Sequence, residues 1–134
     1  MKLAPFSAAA VRQERSERLR HGREAAQALR SAFPSVQQLR LDMRFEGTGT
    51  NTPTSQSHVL YPPARAFFMF PCPYADCDGQ FDLTADVNAA LADRSPRAES
   101  VLECPGFRVG ERATRHPCLL RLVHRITATW TKGS

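Results

Sequence analysis

A chain of 134 residues with 42% hydrophobic side chains and a net charge of +5 is long enough for one ordinary domain but supplies only a modest core. Its longest apolar run, Ala66 to Phe70, is a strand's length and too short for a membrane-spanning helix, and the amino-terminal segment lacks the sustained apolar region of a secretory signal. The expected compartment is therefore the cytoplasm, where cysteines serve a metal more readily than disulfides.

Residues 1–33 hold seven bases and three acids, and their Ala, Arg, Glu and Gln content favours helix. We read this stretch as a basic N-terminal helix decorated by Arg12, Arg15, Arg18, Arg20 and Arg23, with a thin apolar stripe of Val11, Leu19, Ala26, Leu29 and Phe33. Gly22 interrupts the stripe at a cost of about 1 kcal/mol relative to Ala. The half from Ala25 to Phe33 is expected to dock on a sheet, and the half before Gly22 to project or fray. Pro34 ends the helix, and residues 34–134 form the second unit, an antiparallel β domain.

Leu39-Arg40-Leu41-Asp42-Met43-Arg44-Phe45-Glu46 alternates apolar and charged without a break, as a half-buried strand does. Gly47 to Ser57 is a polar connection rich in turn formers. His58 to Tyr61 resumes extended structure and Pro62-Pro63 breaks it. Ala66-Phe67-Phe68-Met69-Phe70, apolar on both sides, is expected to be a central strand covered on both faces. It runs into Cys72-Pro73-Tyr74-Ala75-Asp76-Cys77-Asp78-Gly79, a tight turn, and returns through Gln80 to Leu83. Thr84 is placed as the cap of a short helix over Ala85–Ala92, with Val87 and Leu91 on its buried side. A second turn at Cys104-Pro105-Gly106 opens a basic loop, Phe107 to Pro117. Cys118 to Trp130 then reads as a long strand, with Leu120, Leu122, Ile126 and Trp130 on one face and Arg121, Arg125, Thr127 and Thr129 on the other. The fold class is thus α+β.

The four cysteines are the chemical core of this pattern. Zinc takes four ligands in a tetrahedron, and cysteines paired in tight turns supply them. Cys72 and Cys77 have four residues between them, while Cys104 and Cys118 have thirteen. That wider gap is accommodated if Phe107 to Pro117 bulges out, so that Cys104 ends one strand and Cys118 begins the next. Two alternatives stand beside this reading: four reduced core thiols, and a swap in which His116 replaces Cys118. His124, on the apolar face of its strand, reads as a core histidine. Asp76 and Asp78 flank Cys77, where turn-making and acceptance of backbone hydrogen bonds suit them.

Over residues 66–130, on the strength of Cys72, Cys77, Cys104 and Cys118, the chain resembles the zinc-ribbon fold group: strand, cysteine turn, strand, then a second cysteine turn feeding a long terminal strand. It departs from that group in its long second loop and its inserted helix. The resemblance implies a small antiparallel sheet with a structural zinc, and service to nucleic acids, to transcription or translation machinery, or to protein docking.

Four thiolates leave no open metal position for a substrate, and the sequence carries no phosphate-cradling glycine loop, nucleophilic serine motif or zinc-protease helix. We therefore expect a non-enzymatic protein with neither a small-molecule substrate nor a membrane partner. The first expected partner is nucleic acid, with Arg12, Arg15, Arg18, Arg23, Arg108, Arg112 and Arg115 on its phosphates. The alternative is an acidic protein surface, or a second copy of the chain, held by the Arg-rich helix; the five aspartates of residues 72–93 offer such a basic arm a target.

Overall fold

The alternating run at Leu39 lies within the longest strand, β1 (Val36–Glu46), whose burial follows the expected two-residue period. The computed structural model describes residues 7–47, 55–95, 97–109 and 114–131. They form an α+β fold with α1 (Ala8–Ala25), α2 (Leu29–Ala32), β1, β2 (Ser55–Leu60), β3 (Met69–Pro71), β4 (Gln80–Asp82), α3 (Thr84–Ala92), β5 (Arg97–Glu103), β6 (Phe107–Val109), β7 (Arg115–Pro117) and β8 (Arg121–Trp130). The polar connection after Gly47 lies mostly outside the described residues, and β2 begins at Ser55.

Four strands make one antiparallel sheet in the order β2-β1-β8-β5. Its register aligns the apolar faces: Leu39 opposes Ala128, Leu41 opposes Ile126, Met43 opposes His124 and Phe45 opposes Leu122. These eight side chains are all buried. Against this face pack Phe68, Phe81, Leu83, Val87 and Leu91 from the β3–β4 and α3 segment, with the Phe45 and Phe81 rings 5.7 Å apart. The opposite face is polar and largely exposed, crossed by rows such as Ser57–Asp42–Arg125–Glu99. Arg40 and Asp42, Arg44 and Glu46, and Arg125 and Glu99 form ion pairs there. Hydrophobic burial on one side and solvated charge on the other is the pattern of a single-layer sheet.

Three expectations about local structure are corrected. The segment before Gly22 does not fray: α1 runs unbroken to Ala25 and buries Val11, Arg15 and Leu19. Gly22 lies where the Phe67 ring approaches the helix, since a Cβ there would meet the ring at 2.7 Å. The helix instead breaks at Ala26–Ala28, whose backbone is extended, and resumes as α2 because the Leu29 and Arg30 amides find the Ala64 and Pro62 carbonyls.

The apolar run at Ala66 is not a central strand. Its backbone groups are taken locally: Ala66 N–H by Gln27, and the Phe68 carbonyl by Leu83 N–H. Only Met69–Pro71 pairs, and only with β4. At α3 the first amide is met by Asp82, whose carboxylate accepts Thr84 N–H at 2.9 Å, and Thr84 itself is the first helical residue.

Candidate metal centre

Two hairpin-like turns bring the cysteines together. Cys72 and Cys77 sit in the connection between β3 and β4, while Cys104 follows β5 and Cys118 precedes β8. Between the last two the chain folds into a small ribbon, β6 against β7, with Phe107 opposite Pro117 and Val109 opposite Arg115. The thirteen-residue gap is thus spanned by an outgoing ribbon, while the paired strands β5 and β8 return its ends to one place.

The four Sγ atoms lie within 4.8 Å of one another. Cys72 and Cys118 sulfurs are 3.7 Å apart, and Cys77 and Cys104 sulfurs 3.6 Å apart. A tetrahedral zinc with Zn–S bonds of about 2.3 Å requires sulfur separations of about 3.8 Å, so the donor set fits such an ion. His116 is exposed on β7, and it is the Cys118 sulfur that closes the cluster.

Both turns share a local device. Gly79 N–H points at Cys77 Sγ (3.3 Å) and Gly106 N–H at Cys104 Sγ (3.5 Å), so each Cys-X-Gly step donates to its own sulfur. The two glycines also press against each other: a Cβ on Gly79 would lie 2.5 Å from Cys104 Sγ and 2.9 Å from Gly106 Cα and N. Asp78 Oδ1 accepts Phe107 N–H at 2.7 Å, and Asp78 N–H meets the Phe107 carbonyl, tying the first turn to the ribbon. This is the backbone-accepting role its position beside Cys77 suggested.

The thiols do not titrate alike. Hydrogen bonds from Cys72 and then Cys77 bring Cys104 down to about 4. Hydrogen bonding with Cys104 pushes Cys72 and Cys77 up, and burial does the same to Cys118. Four thiols this close share their protons, and a cation that displaces those protons relieves the crowding.

Of the arginines expected to face a partner, Arg12, Arg18, Arg23 and Arg115 are exposed, Arg108 is half-buried and Arg15 is buried. Arg15 is buried in α1, and its Nη1 donates to the carbonyls of Cys72 (3.1 Å), Tyr74 (3.2 Å) and Cys77 (2.6 Å). It is thus placed inside the fold and away from any surface partner. Arg18 donates to the Asp78 carbonyl and to Gln80 Oε1. Arg108 makes a two-pronged contact with Asp76 and lies 3.8 Å over the Tyr74 ring. Arg115 pairs with Asp78 and sits over Phe107. Arg23 lies over Phe67, and Arg12 is exposed on α1. Arg112 falls outside the described residues.

Two features escaped sequence reasoning. Arg15 stands four residues from both Val11 and Leu19, on the apolar stripe itself, and that spacing was the available signal. The repeat of Cys-X-Gly at Cys77 and Cys104 was the other. His124 is buried as expected; its Nε2 donates to Asp86 at 2.9 Å, and its Nδ1 finds no partner.

No protein-family model matches the chain, and no curated protein and no solved structure matches it. Among the described residues no helix is long and apolar enough to cross a membrane.

Proposed function

We propose that the chain is a non-enzymatic, zinc-ribbon-like module in which one zinc ion on Cys72, Cys77, Cys104 and Cys118 clamps two turns into a rigid platform. The observation that carries this reading is the four sulfurs lying within 4.8 Å of one another, with two of the pairs, at 3.7 and 3.6 Å, close to the separation a tetrahedral ion requires. A fully thiolate site has no position for water or substrate, so the ion's work is structural. Metal analysis of the purified protein tests it: one zinc per chain supports the reading, and a folded, metal-free chain with no uptake of added zinc refutes it.

The platform's partner in this reading is nucleic acid. Arg12 and Arg23 on exposed positions of α1, with Arg18 and Arg115 beside the touching turns, are the side chains best set to meet phosphates. If these four each neutralise one phosphate of a single strand, log K falls against log salt with a slope of about −3. Binding that ignores salt, or no binding to DNA or RNA at low salt, removes this partner. The second reading, docking to a protein or a second copy, is favoured by the uncovered polar face of the sheet, where Val59 and Val101 stand exposed among ion pairs. Scattering mass at two salt concentrations separates the two.

A further inference from the structure

Arg15 presents an electrostatic problem. Only 7% of the residue is exposed, and its Nε has no hydrogen-bond partner. No carboxylate among the described residues forms an ion pair with it. Burying a guanidinium is costly unless an opposite charge and hydrogen bonds compensate. The three carbonyls it meets answer hydrogen-bonding needs, but each is neutral.

The contact geometry is also unusual for arginine. A single nitrogen, Nη1, with two hydrogens, faces three acceptor oxygens. That is how a point charge is solvated, whereas arginine's own preference is the flat fork that grips a carboxylate. Two of those oxygens belong to Cys72 and Cys77, and the third to Tyr74 between them. The cation is therefore fixed to the backbone of the turn that supplies two of the four sulfurs.

We propose that Arg15 is the counter-cation of the metal–thiolate centre, a positioning residue whose charge offsets that of the occupied site from the carbonyls of the turn that supplies two of its sulfurs. The inference rests on the metal reading above. A divalent ion on four thiolates is a net dianion in a largely buried site, and it needs a compensating charge as much as Arg15 does. Each burial makes the other tolerable. The two arrive from distant parts of the chain, Arg15 lying 57 residues before Cys72 and 62 before Cys77, so α1 docks by completing the charge balance of the metal site.

The test compares wild type with Arg15→Gln, which removes the charge, and Arg15→Lys, which keeps it with three donors for the three carbonyls. Zinc affinity is measured by competition with a chromogenic chelator. The same proteins loaded with iron as a probe report the Fe(III)/Fe(II) potential, which a purely structural clamp does not move. Reduction adds one electron and turns the centre from monoanion to dianion, so a nearby cation raises the potential.

Arg15→Gln is expected to lose about 10–100-fold in zinc affinity and to show a lower iron potential. Arg15→Lys is expected to stay within about tenfold of wild type, with the potential largely restored; if Arg15→Gln does not fold, this variant carries the comparison. Equal losses in both variants with an unmoved potential, or wild-type behaviour of Arg15→Gln, overturn the inference and leave the metal reading standing. A wild-type chain that takes up neither zinc nor iron overturns both.

Discussion

Replacing Gly79 with alanine puts a methyl group between the two cysteine turns. The added Cβ lies 2.5 Å from Cys104 Sγ and 2.9 Å from Gly106 Cα and N, where ordinary contact begins at 3.4 Å. The turns must part by about 1 Å to admit it. Neither neighbour is the free end of a flexible side chain, because one is the sulfur of a short, buried cysteine and the other is backbone. A metal site holds its distances to about 0.2 Å, so a shift of this size breaks coordination.

Overpacking of this kind costs about 1–3 kcal/mol. We expect zinc affinity to fall by about 100-fold, equivalent to about 2.7 kcal/mol. The assay is chelator competition for zinc, paired with thermal melting in zinc excess, where the variant still folds but melts lower. Gly106→Ala presses the same two loops apart from the other side, so the double variant should cost less than the sum of the singles. A Gly79→Ala protein that holds zinc as tightly as wild type and melts at the same temperature refutes the reasoning.

Zinc at a hundred times its Kd should add about 2.7 kcal/mol of stability, read as a Tm that rises with free zinc and falls with chelator. Leu119, beside Cys118, has φ of 57° and is exposed, so Leu119→Gly should relieve about 1 kcal/mol, measured by urea unfolding. Phe81→Ala empties a buried position against Phe45 and should cost about 3–5 kcal/mol in the same assay. Asp42 is held below the usual carboxylate range, first by the Ser57 hydroxyl and then by Arg40 against an opposing effect of burial. Because its folded pKa is depressed, the contribution is present above the unfolded value near 4 and is lost as pH falls through the folded value. Ser57→Ala should raise the Asp42 pKa, followed by carboxyl NMR, and flatten stability between neutral and acidic pH.

Strong periodicity made the main sheet legible. Leu39 to Glu46 and the run to Trp130 alternate cleanly because each has one buried and one solvated face, and those strands are β1 and β8. The cysteine turns were legible because thiols in tight turns have few other uses. Segments whose surroundings decide their structure were not. Ala66 to Phe70 is apolar enough for a central strand, but its backbone groups are claimed by Gln27 and Leu83, which are distant in sequence. β6 and β7, at three residues each, are too short to show a period, and their pairing depends on where Cys104 and Cys118 are held. Arg15 read as surface decoration because residue type outweighed position; a charge on an apolar stripe is informative only once a buried counter-charge is in view.

The place of β8 in the sheet sets the order in which this protein can be made. It is the last of the described strands in sequence yet lies between β1 and β5, and its register pairs Val36 with Trp130. During synthesis β1 can pair with β2 soon after both emerge, but its other edge stays open until β8 has been made. Contacts of such long sequence separation slow folding and lengthen the interval in which exposed strands can meet the wrong partner. A nascent chain of this kind gains from anything that gathers its distant parts, and an ion held first by Cys72 and Cys77 would do so once Cys104 and Cys118 had emerged to complete its ligand set.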